Sequence, residues 1–131
     1  MFGRIPPFCM KSDLTIIGTN HGKGVSRIWL DGNKLIEAGF HFGARYDLSA
    51  LKADSASTDL KELDSRIELT LNPNGKFEVS GDGDSPTIDI SGSVITDTFA
   101  KHIAKSHSSG APVVEINYSI GQIIITAAGF R

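Results

Sequence analysis

The sequence predicts a mainly β (α+β) fold: a small pseudo-twofold barrel built from two strand–helix–hairpin units, with two short helices. Three observations carry this. Fourteen glycines punctuate Ile-, Val- and Thr-rich runs, the composition of short strands joined by tight turns. Those runs alternate apolar and polar residues with a period of two. One strand–glycine–helix pattern also occurs twice. The 131 residues, 40% hydrophobic and 21% charged, have the balance of an ordinary globular domain. A chain of that length buries roughly two-thirds of its unfolded surface without staples.

Residues 1–13 read as a loose leader, its apolar residues interrupted by Pro6 and Pro7, and residues 14–131 as a single domain. Leu14–Ile17 reads as a strand and the glycine-rich run Gly18–Gly24 as a turn or loop. In Ser26–Leu30, Ile28 and Leu30 fall on one face of a strand and Arg27 and Trp29 on the other. Asp31 and Gly32 break it, Asn33 is placed to cap, and Lys34–Ala38 forms a short helix burying Leu35 and Ile36. Gly39 supplies a left-handed stop, after which Phe40 packs back.

Arg45–Leu51 is the next strand, and Lys52–Ser65 an acidic loop with one helical turn at Asp59–Leu63. Arg66–Leu71 alternates, with Ile67, Leu69 and Leu71 inward. Asn72-Pro-Asn-Gly75 then signals a turn, from which Lys76–Ser80 runs back. After a turn at Gly81–Pro86, Thr87–Ile90 is a strand and Ser93 a second cap. Val94–Ala104 is a helix with Ile95, Phe99 and Ile103 in one stripe and Lys101, His102 and Lys105 at its negative pole. Val113–Tyr118 and Gln122–Ala127 close the chain as a hairpin.

Set in register, Ile28 falls on Ile88, Leu30 on Ile90, Gly32 on Gly92 and Leu35 on Ile95, without a gap. Unit one therefore spans 25–80 and unit two 86–127. One such unit cannot bury both its strand face and its helix stripe, whereas two can share a core. A monomer with internal pseudo-symmetry follows. An edge at Lys76–Ser80 or Leu14–Ile17 stays open to pairing with another chain, as in a homodimer.

Cys9 is the one cysteine, so no internal disulfide framework exists and a reduced cytoplasmic setting fits. No apolar run approaches the ~20 residues that span a bilayer, and no signal-peptide core is visible. The net charge of −2 is unevenly spread: +3 over residues 1–52, −6 over 53–90 and +1 over 91–131.

The run from Arg27 through Trp29, Gly32, Leu35 and the triplet Ala38-Gly39-Phe40, followed by Gly43 and a hairpin, resembles the SymE-like branch of the AbrB-type swapped-hairpin barrels. It is also similar to the N-terminal region of some phage cytosine methyltransferases, where a double unit of this kind precedes the catalytic domain. Unit two departs from the pattern: Thr98-Phe99-Ala100 stands where Ala-Gly-Phe would be, so its helix is expected to run longer. The resemblance implies a phage or mobile-element origin and nucleic-acid binding, with DNA as the partner. It places the contacts at Lys23, Arg27, Lys34 and Arg45 on phosphates, with Trp29 stacking on a base. The plain alternative is that these cations are solvated surface charges and Trp29 is packed.

A second function class follows from the acidic middle. Asp54, Asp59, Glu62 and Asp64 would meet a basic surface of a host protein of nucleic-acid metabolism, as an anti-CRISPR or anti-restriction inhibitor does. A catalytic role finds no support in the residues. Gly18–Gly24 is one residue short of a P-loop and no Ser or Thr follows Lys23. His21, His41, His102 and His107 lack partners at zinc-ligand spacing, Asp82-Gly-Asp84 lacks the rest of a calcium loop, and no nucleophile elbow is present. No enzyme, cofactor or metal is therefore expected.

Overall fold

A computed structural model describes residues 11–20, 25–51 and 65–131. In chain order the strands are β1 (Lys11–Ile16), β2 (Gly18–Asn20) and β3 (Val25–Asp31), then helix α1 (Asn33–Glu37), β4 (Arg45–Leu51) and β5 (Arg66–Leu71). The second half runs β6 (Phe77–Glu78), β7 (Ser80–Gly81), β8 (Pro86–Ser91), α2 (Ser93–Thr98), α3 (Ala100–Ser109), β9 (Pro112–Ser119) and β10 (Gln122–Phe130). Over the described residues the fold is mainly β with three short helices. All strand pairings are antiparallel, in a six-stranded sheet of order β1-β9-β10-β5-β4-β6 and a four-stranded sheet of order β2-β3-β8-β7. No described helix is long and apolar enough to cross a membrane.

Both strand orders read the same from either end once each element is exchanged for its repeat counterpart. In the β3–β8 ladder Ile28 faces Ile90, Trp29 faces Asp89 and Leu30 faces Ile88. Exchanging Ile28 with Ile88 and Leu30 with Ile90 leaves this register unchanged, so a twofold relation passes through the Trp29–Asp89 pair. The β5–β10 ladder behaves alike, with Ile67 facing Ile125 and Leu69 facing Ile123. The repeat also reaches further than the sequence suggests. The chain passes from one sheet to the other at Ile17, between β1 and β2, and again at Val79, between β6 and β7. Both corner residues are buried, and their amides donate to matching places, Pro112 O and Ala44 O, at 2.9 Å each.

The core lies between the sheets. Ile28, Leu30, Ile88 and Ile90 meet Ile67, Leu69, Ile116, Ile123 and Ile125, with Leu35, Phe40, Ile95 and Phe99 from the helical segments. Each such side chain contributes roughly 1.5–3 kcal/mol on leaving water. Helix α1 ends in a Schellman motif: Gly39 N–H donates to Ile36 O and Phe40 N–H to Leu35 O, both at 2.9 Å. Gly39 takes φ of 93°, which a glycine adopts without steric cost, and this turns Phe40 back into the core.

Several expectations need correction. The single helix over Val94–Ala104 is two helices, broken at Phe99 and continuing to Ser109, past the expected end at Ala104. Without a glycine after Thr98 the chain makes no left-handed stop; Phe99 leaves helical geometry (φ −110°, ψ 30°) and the next helix starts at once. The caps are Gly32 and Gly92, with φ of 93° and 95°, rather than Asn33 and Ser93, which are already helical. Residues 76–80 do not return beside β5. They cross to the far edge of β4, where Phe77 pairs with Tyr46, and then join β8. β1 begins at Lys11, inside the expected leader. His102 is buried rather than a solvent-facing charge at a helix end, its Nε2 2.9 Å from Val113 O and its ring 4.5 Å from that of Phe130. The helical turn expected at 59–63 lies outside the described residues.

The crossing after β5 is pinned by polar contacts. Asn72 Nδ2 donates to Asp47 Oδ2 (2.7 Å), Lys76 N–H to Asp47 Oδ1 (3.3 Å) and Arg45 Nε to Gly75 O (2.8 Å). The Asn72 and Lys76 donors hold the Asp47 carboxyl below the ordinary range. Gly75 is buried, and a Cβ there would stand 2.5 Å from the backbone of Tyr46. Gly75→Ala is therefore expected to cost about 1–3 kcal/mol through forced backbone shifts. Gly83→Ala, whose Cβ meets nothing within 4 Å, is expected to stay within about 0.5 kcal/mol of the parent. Urea unfolding midpoints of the two variants test the contrast.

Candidate functional site

Period-two alternation sends Ile28 and Leu30 into the core and turns Arg27, Trp29 and Asp31 outward on β3. The Arg27 guanidinium sits 4.8 Å from the Trp29 ring centroid and its Nε 2.9 Å from Asp89 Oδ1 on β8. Trp29 Nε1 donates to Asp31 Oδ2 at 3.1 Å, and the indole is 43% exposed. Lys34, in the first turn of α1, has its Nζ 3.0 Å from Asp13 Oδ2 on β1. Arg45 stands at the opposite edge of the six-stranded sheet, fastened to Gly75 O and 3.8 Å from Glu78. The fold thus gathers Arg27, Trp29 and Lys34 near one place and leaves Arg45 out. Each of the three cations has a carboxylate partner. Lys23, Asp54, Asp59, Glu62 and Asp64 lie outside the described residues.

The place where they gather is a parting of strands. β2 pairs with the first residues of β3, Gly18 facing Arg27, whereas β1 swings away at Ile17 to pair with β9. Ladder alternation fixes what this leaves open. Gly92 N–H bonds Ser26 O, so Ser26, Ile28 and Leu30 direct their backbone groups to β8, and those of Trp29 and Asp31 point the other way, past the end of β2. Ile17 N–H bonds Pro112 O, so Ser12, Leu14 and Ile16 likewise direct theirs away from β9. Of these, Leu14 N–H is taken up by Asp13 Oδ1 at 3.0 Å. An open groove of about 400 Å³ runs here, lined by Thr15, Ile16, Gly18, Arg27 and Trp29. Beside it is a second cleft of about 250 Å³, with Asp13, Asp31 and Trp29 on its walls and Leu30, Ile116 and Tyr118 among its lining.

Sequence reasoning missed Asp13, Asp31 and Tyr118. Tyr118 lies on the core-facing row of β9 with Val114 and Ile116, opposite Lys11, and is 3% exposed. Its hydroxyl makes no hydrogen bond within the described structure. Burial, with the charges of Asp13 and Asp31 adding, pushes its phenol up to about 12. The one signal in the sequence was the alternation of Val114, Ile116 and Tyr118, which marks a buried face without saying what it borders. Around the groove Lys11 pairs with Glu37, Lys34 with Asp13 and Arg27 with Asp89, while Asp31 has no cationic partner among the described residues. Exposed pairs of this kind are worth about 0–1 kcal/mol, so they can be exchanged for other partners. Among the described residues no three His, Cys, Asp or Glu side chains gather as a metal site would require. The arrangement is suited to holding a ligand.

The raised Tyr118 phenol makes stability fall at alkaline pH. Its proton is held in the folded chain to about 12 and in the unfolded chain only to about 10, so its contribution is complete below pH 10 and is lost as pH rises through 12. Tyr46, raised by burial, acts in the same sense. Unfolding midpoints measured between pH 9 and pH 12 are expected to fall, and to fall less steeply in Tyr118→Phe. Comparison with protein-family models, with characterised proteins and with solved structures finds no match.

Proposed function

We propose that this chain is a non-catalytic binding domain whose partner is a protein, taken up as an extended segment along the open edge of β3. The observation that carries this is the backbone of Trp29 and Asp31, which presents donors and acceptors to the groove with no strand paired there among the described residues. A segment added at such an edge gains main-chain hydrogen bonds, and alternate side chains supply selectivity. The rim fits the same use: Trp29, Leu14 and Ile16 are exposed apolar groups beside it, and tryptophan is the residue most enriched at binding hot spots. The carboxylate excess around the groove and in residues 53–90 favours a basic partner. That agrees with an inhibitor of phage or mobile-element type that engages a host protein of nucleic-acid metabolism.

One observation favours a second reading, nucleic-acid binding of the AbrB/SymE-like type: the Arg27 guanidinium stacked on an exposed indole, a platform on which a base could be held. It ranks second because Arg27, Lys34 and Arg45 are each already beside a carboxylate, and the groove walls carry unbalanced negative charge at Asp31.

Selection of a displayed library of linear dodecapeptides on the immobilised protein tests the first reading. Sequences rich in alternating β-branched residues are expected to be enriched on the parent and lost on Trp29→Ala. Equal recovery on both proteins sinks it. Trp29 is the sole tryptophan, so its fluorescence reports groove occupancy without a label. Quenching by a mixed-sequence oligonucleotide that weakens steeply with added salt would instead move the second reading to first place.

A further inference from the structure

We infer that the 250 Å³ cleft behind Trp29 is an anchor pocket for a protonated side chain, lysine ammonium or arginine guanidinium, carried by the partner segment; this rests on the strand-addition reading above. Tyr118 lines the cleft; the residue is 97% buried, and its hydroxyl has no hydrogen-bond partner among the described residues. A buried hydroxyl left unpaired is costly, so its position calls for a group that bonds to it. The walls say which kind of group. Asp31 is a carboxylate with only the Trp29 indole N–H on it among the described residues, and Asp13 shares its charge with Lys34. Both stand near enough to Tyr118 for their charges to act on its phenol. Acceptors of negative charge therefore surround an oxygen that can also accept, and a cation bearing several N–H donors satisfies all of them at once. The Trp29 ring on the adjoining wall adds an aromatic surface of the sort that attracts organic cations.

The twofold relation supplies an internal comparison. Carried by the pairing registers to the other unit, Trp29 becomes Asp89, Asp31 becomes Ser91 and Tyr118 becomes Ala50, while the place of Asp13 falls in the turn that precedes β6. The fold is made there without the indole, the phenol or the two carboxylates. Their concentration in one of two equivalent places is thus not required by the architecture. The volume fits as well: at about 30 Å³ per water, 250 Å³ has room for a long side chain. The pocket opens at the end of the free β3 edge, where a paired segment would project alternate side chains toward it.

The experiment uses a peptide recovered from the dodecapeptide selection, with its basic residue left in place or exchanged for a neutral isostere, acetyl-lysine for lysine or citrulline for arginine. Affinities are read from Trp29 fluorescence. The neutral peptide is expected to bind at least tenfold more weakly to the parent protein. Asp31→Asn should lower affinity for the charged peptide about tenfold and leave the neutral peptide unchanged. Tyr118→Phe should weaken the charged peptide several-fold while the melting temperature of the free protein stays level or rises, since an unpaired hydroxyl is removed. A merely structural Tyr118 would show the reverse, a lowered melting temperature with unchanged affinity. If charged and neutral peptides bind alike, the anchor falls and strand addition stands. If no peptide is enriched over the Trp29→Ala control, both fall together.

Discussion

Everything in this molecule hangs on the β3–β8 ladder. Each repeat unit offers one strand with a fully apolar inner face, Ile28 and Leu30 in one, Ile88 and Ile90 in the other, and neither face can be covered by its own short helix. Pairing the two strands antiparallel, centred on Trp29 and Asp89, places both faces over the isoleucines of β5, β9 and β10 in a single step. A slip of either strand by one residue would turn its two inner side chains to solvent and bring its polar row inward, Arg27 and Trp29 on β3 or Asp89 on β8, so burial fixes the register. The glycine turns that follow, at Gly32 and Gly92, then launch both helices from symmetric points.

The departures from symmetry are where the groove and the cleft lie. In unit one, Gly39 stops the helix and sends Phe40 into the core; in unit two the chain runs on through Phe99 into a ten-residue helix. β1 differs from its counterpart β6 in length and in what it points inward. Lys11, Asp13 and Thr15 share the inner row with Tyr118, Ile116 and Val114, yet they are polar. An edge strand with inward charges cannot close down on the core, a device that also discourages unwanted edge pairing. The pairs Lys11–Glu37 and Lys34–Asp13 tie it to α1 instead. The same polarity that keeps β1 from sealing the core holds the cleft at Tyr118 open.

Charge pairing changes the meaning of residues that look alike in a sequence. Arg27, Lys34 and Arg45 are equivalent as cations in a one-dimensional reading, but they stand in three situations. Arg27 lies over an indole, Lys34 secures an edge strand, and Arg45 pins a chain crossing through Gly75 O. Only the first lines the open groove. Asp31, by contrast, gains weight because no cation among the described residues answers it.

By itself the sequence determined the mainly β character, nearly all the strand positions, the duplicated strand–glycine–helix unit and the outward placement of Arg27 and Trp29. These are local or periodic properties: two-residue alternation and the φ freedom of glycine act over a few residues and are written in order along the chain. The tertiary structure alone decided that residues 76–81 cross to β4 and β8, that β1 and β2 belong to the repeat, and that His102 is buried. It also decided that Asp13, Asp31 and Tyr118, far apart in sequence, share one cleft. Each of these depends on which edge a strand finds and which carboxylate a cation reaches, and pairings between distant segments leave no period in the sequence that carries them.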